Sequence, residues 1–154
     1  MPSAGSVAIV VRFTNAPPEY LGEPVRLVSG NLPRPIDHWQ SATQNVMFAG
    51  YDGWADINPD WCDMRAQTEW CSLVTLRGGA SAVVGQYLNG ALLRSVIAGG
   101  AWPTSGQVLR VGLRPDGAAP FIGDLAEAVI TNAVWSSQDI ADWTAYAQTK
   151  WGTP

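Results

Sequence analysis

Trp39, Trp54, Trp61 and Trp102 fall outside any regular hydrophobic period, and Tyr51 stands close to Trp54 in the chain. Their neighbours include Asp, Asn and Gln. A sugar site needs that mixture: a flat apolar ring for the C–H face and polar atoms for the hydroxyls. The same rings would also serve to plug loops onto a core, or to fill a subunit interface, where Trp is enriched. These five residues form the candidate ligand- or partner-binding set. Of the eight tryptophans, the remaining four, Trp70, Trp135, Trp143 and Trp151, occupy periodic positions and are assigned to the core.

Carboxylates supply the other candidate chemistry. Asp52, Asp56, Asp60 and Asp63 share one segment with Asn58. Hard oxygen donors in a loop suit calcium, but the spacing is not that of a helix–loop–helix calcium site. Asp and Asn are also ordinary turn formers, so no metal ligand is assigned and no cofactor is expected. Asp124 and Glu127 are the nearest thing to a hydrolytic pair. A retaining glycosidase holds two carboxyls about 5 Å apart across the bond it cleaves. Residues three apart in an alternating strand point to opposite faces, so these two are not expected to converge. His38, in "PIDHWQ", reads as a loop histidine. With no Ser/His/Asp order and no zinc-ligand spacing, no catalytic residue is assigned.

The framework must be one that folds with few charges. The chain has 154 residues, 47% of them hydrophobic and 14% charged. That length suits one domain with one core, spanning 1–154, with residues 1–5 expected as a flexible tail. The net charge is −4 and Lys150 is the sole lysine, so no basic cluster is present to track nucleic acid or an anionic membrane. No apolar run approaches the ~20 residues of a membrane helix. "MPSAGSVAIVVRF" lacks a basic leader and reads as the start of a strand, so no signal peptide is expected. Cys62 and Cys71 leave two readings open, a single bridge or two reduced thiols.

Sixteen glycines and eleven prolines punctuate the sequence into many short strands. Val7, Ile9, Val11 and Phe13 alternate with Ala8, Val10 and Arg12, and both sets are largely apolar, as in a strand covered on both faces. "VRLVS" and "NVMFAGY" are strand candidates, with "GNLPRPIDHWQSATQ" between them an irregular loop. "DGWADINPDWCDMRAQT" has no period and reads as a long surface loop. "EWCSLVTLR", "AVVGQYL", "ALLRSVI", "QVLRVGL" and "FIGDLAEAVITN" follow as strands. Asn89-Gly90 joins two of them and predicts a two-residue type I′ hairpin, because both central residues need positive φ. Ile140, Trp143, Ala147 and Trp151 then repeat at helical spacing. Ser136 and Asp139 resemble a capping box, and Gly152 followed by Thr-Pro stops the helix.

The order of these segments resembles the concanavalin A-like, laminin G-like jelly-roll superfamily. The likeness lies in a strand opening with Trp70, "YLNG" (Tyr87 to Gly90), "LRVGLRP", "FIGDLAEAVITNAVWSSQDI" and the closing "AYAQTKWG". It covers Trp70 to Gly152 well and Val7 to Gly50 less well. It implies an all-β antiparallel sandwich with one C-terminal amphipathic helix, the helix shielding one end of the core. Glucanases of this fold carry Glu-x-Asp-x-x-Glu, which this chain lacks. Glu127 falls where the non-catalytic branch has its own acidic residue, so a structural role is expected for it. Members usually have a strand or two before the position of Val7. Their absence here implies a trimmed sandwich or a neighbouring subunit that completes the edge, hence a homo-oligomer.

Two functions follow as expectations. One is a non-catalytic virion-surface protein, a phage head-decoration or tail-associated subunit that contacts other virion proteins and is released by lysis. The other is a stand-alone carbohydrate-binding lectin or adhesin that contacts cell-surface glycans. No enzyme activity is expected from either.

Overall fold

A computed structural model describes residues 5–13, 25–29, 37–40, 47–49, 69–78, 83–97, 110–111 and 123–154. Nine strands precede one helix: β1 (Gly5–Phe13), β2 (Val25–Ser29), β3 (Asp37–Gln40), β4 (Met47–Ala49), β5 (Cys71–Arg77), β6 (Val83–Leu88), β7 (Ala91–Ile97), β8 (Arg110–Val111), β9 (Gly123–Thr131) and α1 (Ser137–Trp151). They form a five-stranded sheet, β7-β6-β5-β1-β9, and a four-stranded sheet, β4-β3-β2-β8. All pairings are antiparallel. The chain is an antiparallel β-sandwich with one C-terminal helix.

Three local expectations change. Residues 37–40 form a strand, so His38 and Trp39 belong to β3 rather than a loop; Trp39 pairs with Arg26 on one side and Met47 on the other. The prolines of "NLPRPI" hide this strand from a composition reading but end before it starts. Gly5 opens β1 opposite Arg77 rather than closing a tail. A Cβ there would lie 2.5 Å from the Thr131 carbonyl oxygen, so only glycine lets β9 come this close. The helix does not cap an end of the core. It lies on the outer face of the five-stranded sheet.

The register shows why β1 is apolar on both sides. Val7, Ile9 and Val11 line one face with Cys71, Leu73 and Thr75 of β5, all at most 1% exposed. Ala8 and Val10 line the other with Val74 and Leu76, under Ile140, Trp143 and Ala147 of α1. Strands buried on both faces need near-continuous apolar sequence.

Helix α1 is fixed at both termini. Ser136 accepts from the Asp139 N–H while the Asp139 carboxylate accepts from the Ser136 N–H, a capping box. Those Ser136 bonds hold the Asp139 carboxyl below the usual range. Gly152 ends the helix at φ 70°, its N–H bonded to the Gln148 carbonyl. Buried Ser6 ties the lead-in segment to β1: its hydroxyl donates to the Ala133 carbonyl and accepts from the Trp135 N–H.

The Asn89-Gly90 turn has φ values of 48° and 81°, as the type I′ reading requires. Its second purpose is docking. Asn89 exchanges backbone and side-chain bonds with Ser72, both at 2.8 Å. Ser72 in turn accepts from the Trp143 indole N–H at 2.6 Å. A Cβ on Gly90 would meet the Thr144 hydroxyl at 2.8 Å, so the turn sits directly against the helix.

Candidate functional site

Cross-strand pairing arranges the outer face in rows, because residues directly opposite share a face. At one end Arg12 of β1 pairs with Asp124 of β9, and Trp70 lies on the β5 side of Arg12. The next row holds Ser72, Val10 and Glu127. Val74, Ala8 and Val129 follow, then Leu76, Ser6 and Thr131. The helix runs from the Ser6 end, where Trp135 is tied down, to the Trp70 end, where Trp151 meets Trp70 at a ring separation of 5.9 Å.

Asp124 and Glu127 were expected on opposite faces and are not. Val10 pairs with Glu127 but Val11 pairs with Leu125, so Ala126 is an extra residue, a β-bulge. The bulge resets the alternation and returns Asp124 to Glu127's face.

Neither carboxylate is left bare. Glu127 accepts from the Tyr146 hydroxyl (3.0 and 2.9 Å to its two oxygens), the Trp151 indole N–H (3.0 Å) and the Lys150 ammonium (3.2 Å). Trp151 chiefly, then Tyr146 and Lys150, hold the Glu127 carboxyl below its ordinary 4.5 against the opposing pull of partial burial. Lys150 also bonds the Tyr146 hydroxyl and lies 5.0 Å from that ring and 5.1 Å from that of Trp151. Tyr146 first and Glu127 second raise the Lys150 pKa. The structural role expected of Glu127 is thus concrete: it clasps the last turns of α1 to β9.

The Trp70 end is different. Arg12 donates from Nε (3.1 Å) and Nη2 (2.8 Å) to the same Asp124 oxygen, Oδ2. The two side chains are 44% and 48% exposed. The guanidinium lies over the Trp70 ring, 4.9 Å from its centre. A partly buried indole, a donor and an acceptor therefore stand side by side at this end of the sheet. Close in sequence to Trp151, the Thr153 hydroxyl is buried with no hydrogen-bond partner among the described residues.

Of the sequence-predicted set, the structure positions Trp39 alone, on β3. Tyr51, Trp54, Trp61 and Trp102 lie outside the described residues, as do Cys62 and the four aspartates of that segment. The chain that carries Tyr51, Trp54 and Trp61 rejoins the described structure at Glu69, next to Trp70. Trp70, Trp135, Trp143 and Trp151 do pack on the core, as expected, with Trp143 8% exposed and the others partly buried. Arg12 was missed. Its lone positive charge at the end of an apolar strand was the available signal. Cys71 is buried on β5.

No family model and no curated protein matches the sequence. Solved structures do match the fold. Domain 4 of the extracellular arabinanase AbnA from Geobacillus stearothermophilus, solved with arabinotriose, aligns at a TM-score of 0.67 and 18% identity, over 92% of this chain and 66% of that one. The sialidase of Trypanosoma rangeli, with sialic acid, gives 0.67 and 14%, over 98% of this chain and 24% of that one. The CBM40 of the Ruminococcus gnavus IT-sialidase, bound to α2,3-sialyllactose, gives 0.66 and 12%, over 93% and 83%. The chain thus spans about two thirds of the arabinanase domain and a quarter of the sialidase. At these identities the likeness establishes the β-sandwich and nothing finer.

Proposed function

We propose that this chain is a non-catalytic glycan-binding module. The observation that carries the reading is the Trp70–Arg12–Asp124 row. It offers a half-exposed donor and acceptor at one end of the sheet, against the partly buried Trp70 ring. The fold neighbours support it, since several are described with a bound sugar or as carbohydrate-binding. Binding without cleavage is favoured because the two carboxylates on this face are each engaged by a cation, one of them by two further donors.

The isolated protein should bind immobilised glycans, and Trp54→Ala or Trp61→Ala should abolish that binding. A glycan panel that stays blank would overturn the proposal.

A second reading, a virion-surface subunit, draws on a different feature. β9 is an edge strand of its sheet, and Leu125 and Ile130 on it are 41% and 47% exposed. Uncovered apolar edges suit a neighbouring subunit. A decoration or tail-associated subunit would be a multimer in solution, co-sediment with particles and ignore glycans.

A further inference from the structure

We propose that Asn89 is a site of spontaneous covalent change, conversion to isoaspartate, and that the docked helix α1 controls how fast it converts. The Asn89-Gly90 pair has the chemistry for it. Gly90 has no side chain to shield its backbone nitrogen, which can attack the Asn89 carboxamide carbon, Cγ. A C–N bond forms and the bond from Cγ to Nδ2 breaks. The amide nitrogen leaves as ammonia, taking up the proton that the Gly90 nitrogen gives up. Water then opens the cyclic imide, at one carbonyl to aspartate and at the other to isoaspartate, whose backbone is one methylene longer. Asn89 and Gly90 are both part-exposed, so water reaches them.

The folded hairpin restrains the first step. Asn89 Oδ1 accepts from the Ser72 N–H, and the Asn89 N–H donates to the Ser72 carbonyl, both at 2.8 Å. Ser72 is 1% exposed, so its N–H is left unsatisfied if the carboxamide swings onto Gly90. The Ser72 hydroxyl is held in turn by the Trp143 indole N–H at 2.6 Å, and Thr144 closes over Gly90. Ring closure therefore requires the turn to lift off β5 and α1, a local opening rather than a change of rotamer. The two products then differ. Aspartate keeps an acceptor for the Ser72 N–H. Isoaspartate lengthens the backbone and no longer fits a two-residue turn with φ values of 48° and 81°, so the hairpin loses its seat against Thr144.

Timed incubation of the full chain at pH 8 tests this, with peptide mapping by mass spectrometry for aspartate and isoaspartate at position 89. The folded chain should convert at least about tenfold more slowly than the same chain unfolded in guanidinium. Trp143→Phe, which keeps the ring but loses the indole bond to Ser72, should convert faster than the native chain. Thr144→Ala, which frees Gly90, should do the same and stands in should Trp143→Phe not fold. The purified isoaspartate form should melt below the native chain, whereas Asn89→Asp should melt near it. No conversion even in guanidinium overturns the site itself. Equal rates in the folded and unfolded chains, or folded variants no faster than the native chain, overturn control by the helix. An isoaspartate form that melts with the native chain overturns the unseating of the hairpin.

Discussion

At the scale of single residues, Glu127 shows how a carboxylate can look catalytic in sequence and act as a fastener. Its folded pKa lies below the ordinary 4.5. A carboxyl lowered on folding stabilises the native state above its unfolded pKa and loses that contribution as pH falls through the folded value. Thermal melts from pH 7 to pH 3 should therefore drop more steeply below about 4.5 in the native chain than in Glu127→Gln. At pH 7 that variant should be less stable by about 1 kcal/mol, the net worth of an ordinary hydrogen bond, since the cluster is largely exposed. Equal slopes would show that the clasp contributes nothing. Trp143 is the second decisive residue, because it both fills the space under α1 and donates to Ser72. Trp143→Ala should cost about 3–5 kcal/mol in urea unfolding. Trp143→Phe should cost less, with the Ser72 hydroxyl losing its donor. Glu127's structural role was legible in the sequence through the resemblance alone. That Asp124 shares its face was not, since one inserted residue, Ala126, reverses every alternation beyond it and leaves no compositional mark.

At the scale of elements, the hairpin and the helix prove to be one unit. Gly90 carries two separable constraints, a φ of 81° and contact with Thr144. Gly90→Ala should destabilise by about 1–2 kcal/mol for the left-handed backbone alone, and by more for the clash. Adding Thr144→Ala should recover the clash part and leave the backbone part. Full recovery would mean that φ is not a constraint here. Asn-Gly and Ser-x-x-Asp were readable because turn and cap chemistry is local: each signal lies within four residues. β3 was not, because prolines precede it and its pairing partners, Val25 to Val28 behind and Met47 to Ala49 ahead, lie outside any local window. The site of the helix was also hidden. A period of 3.6 says that a face is buried, not which surface buries it. The clue was there in β1, whose two apolar faces require two covers.

At the scale of the whole molecule, the helix lies across the outer face of the five-stranded sheet. It covers β1 and β5 on one face, and its last turn reaches Trp70 through Trp151. Among the described strands β1 is interior, between β5 and β9, and that sheet ends on β9 and β7. A subunit contact through the exposed apolar residues of β9 is a proposal with its own test. Sedimentation at rising concentration should detect self-association in the native chain and lose it in Ile130→Lys, while glycan binding persists. Loss of both together would mean that one surface serves both.

The most direct test is an NMR titration of the labelled protein with the tightest-binding oligosaccharide from the panel. The account predicts saturable shifts of the Trp70 indole N–H and the Arg12 Nε–H, while the sugar's anomeric signals stay unchanged after prolonged incubation. Shifts confined to Trp39 and the four-stranded sheet, or new reducing-end signals from a cleaved sugar, would contradict it.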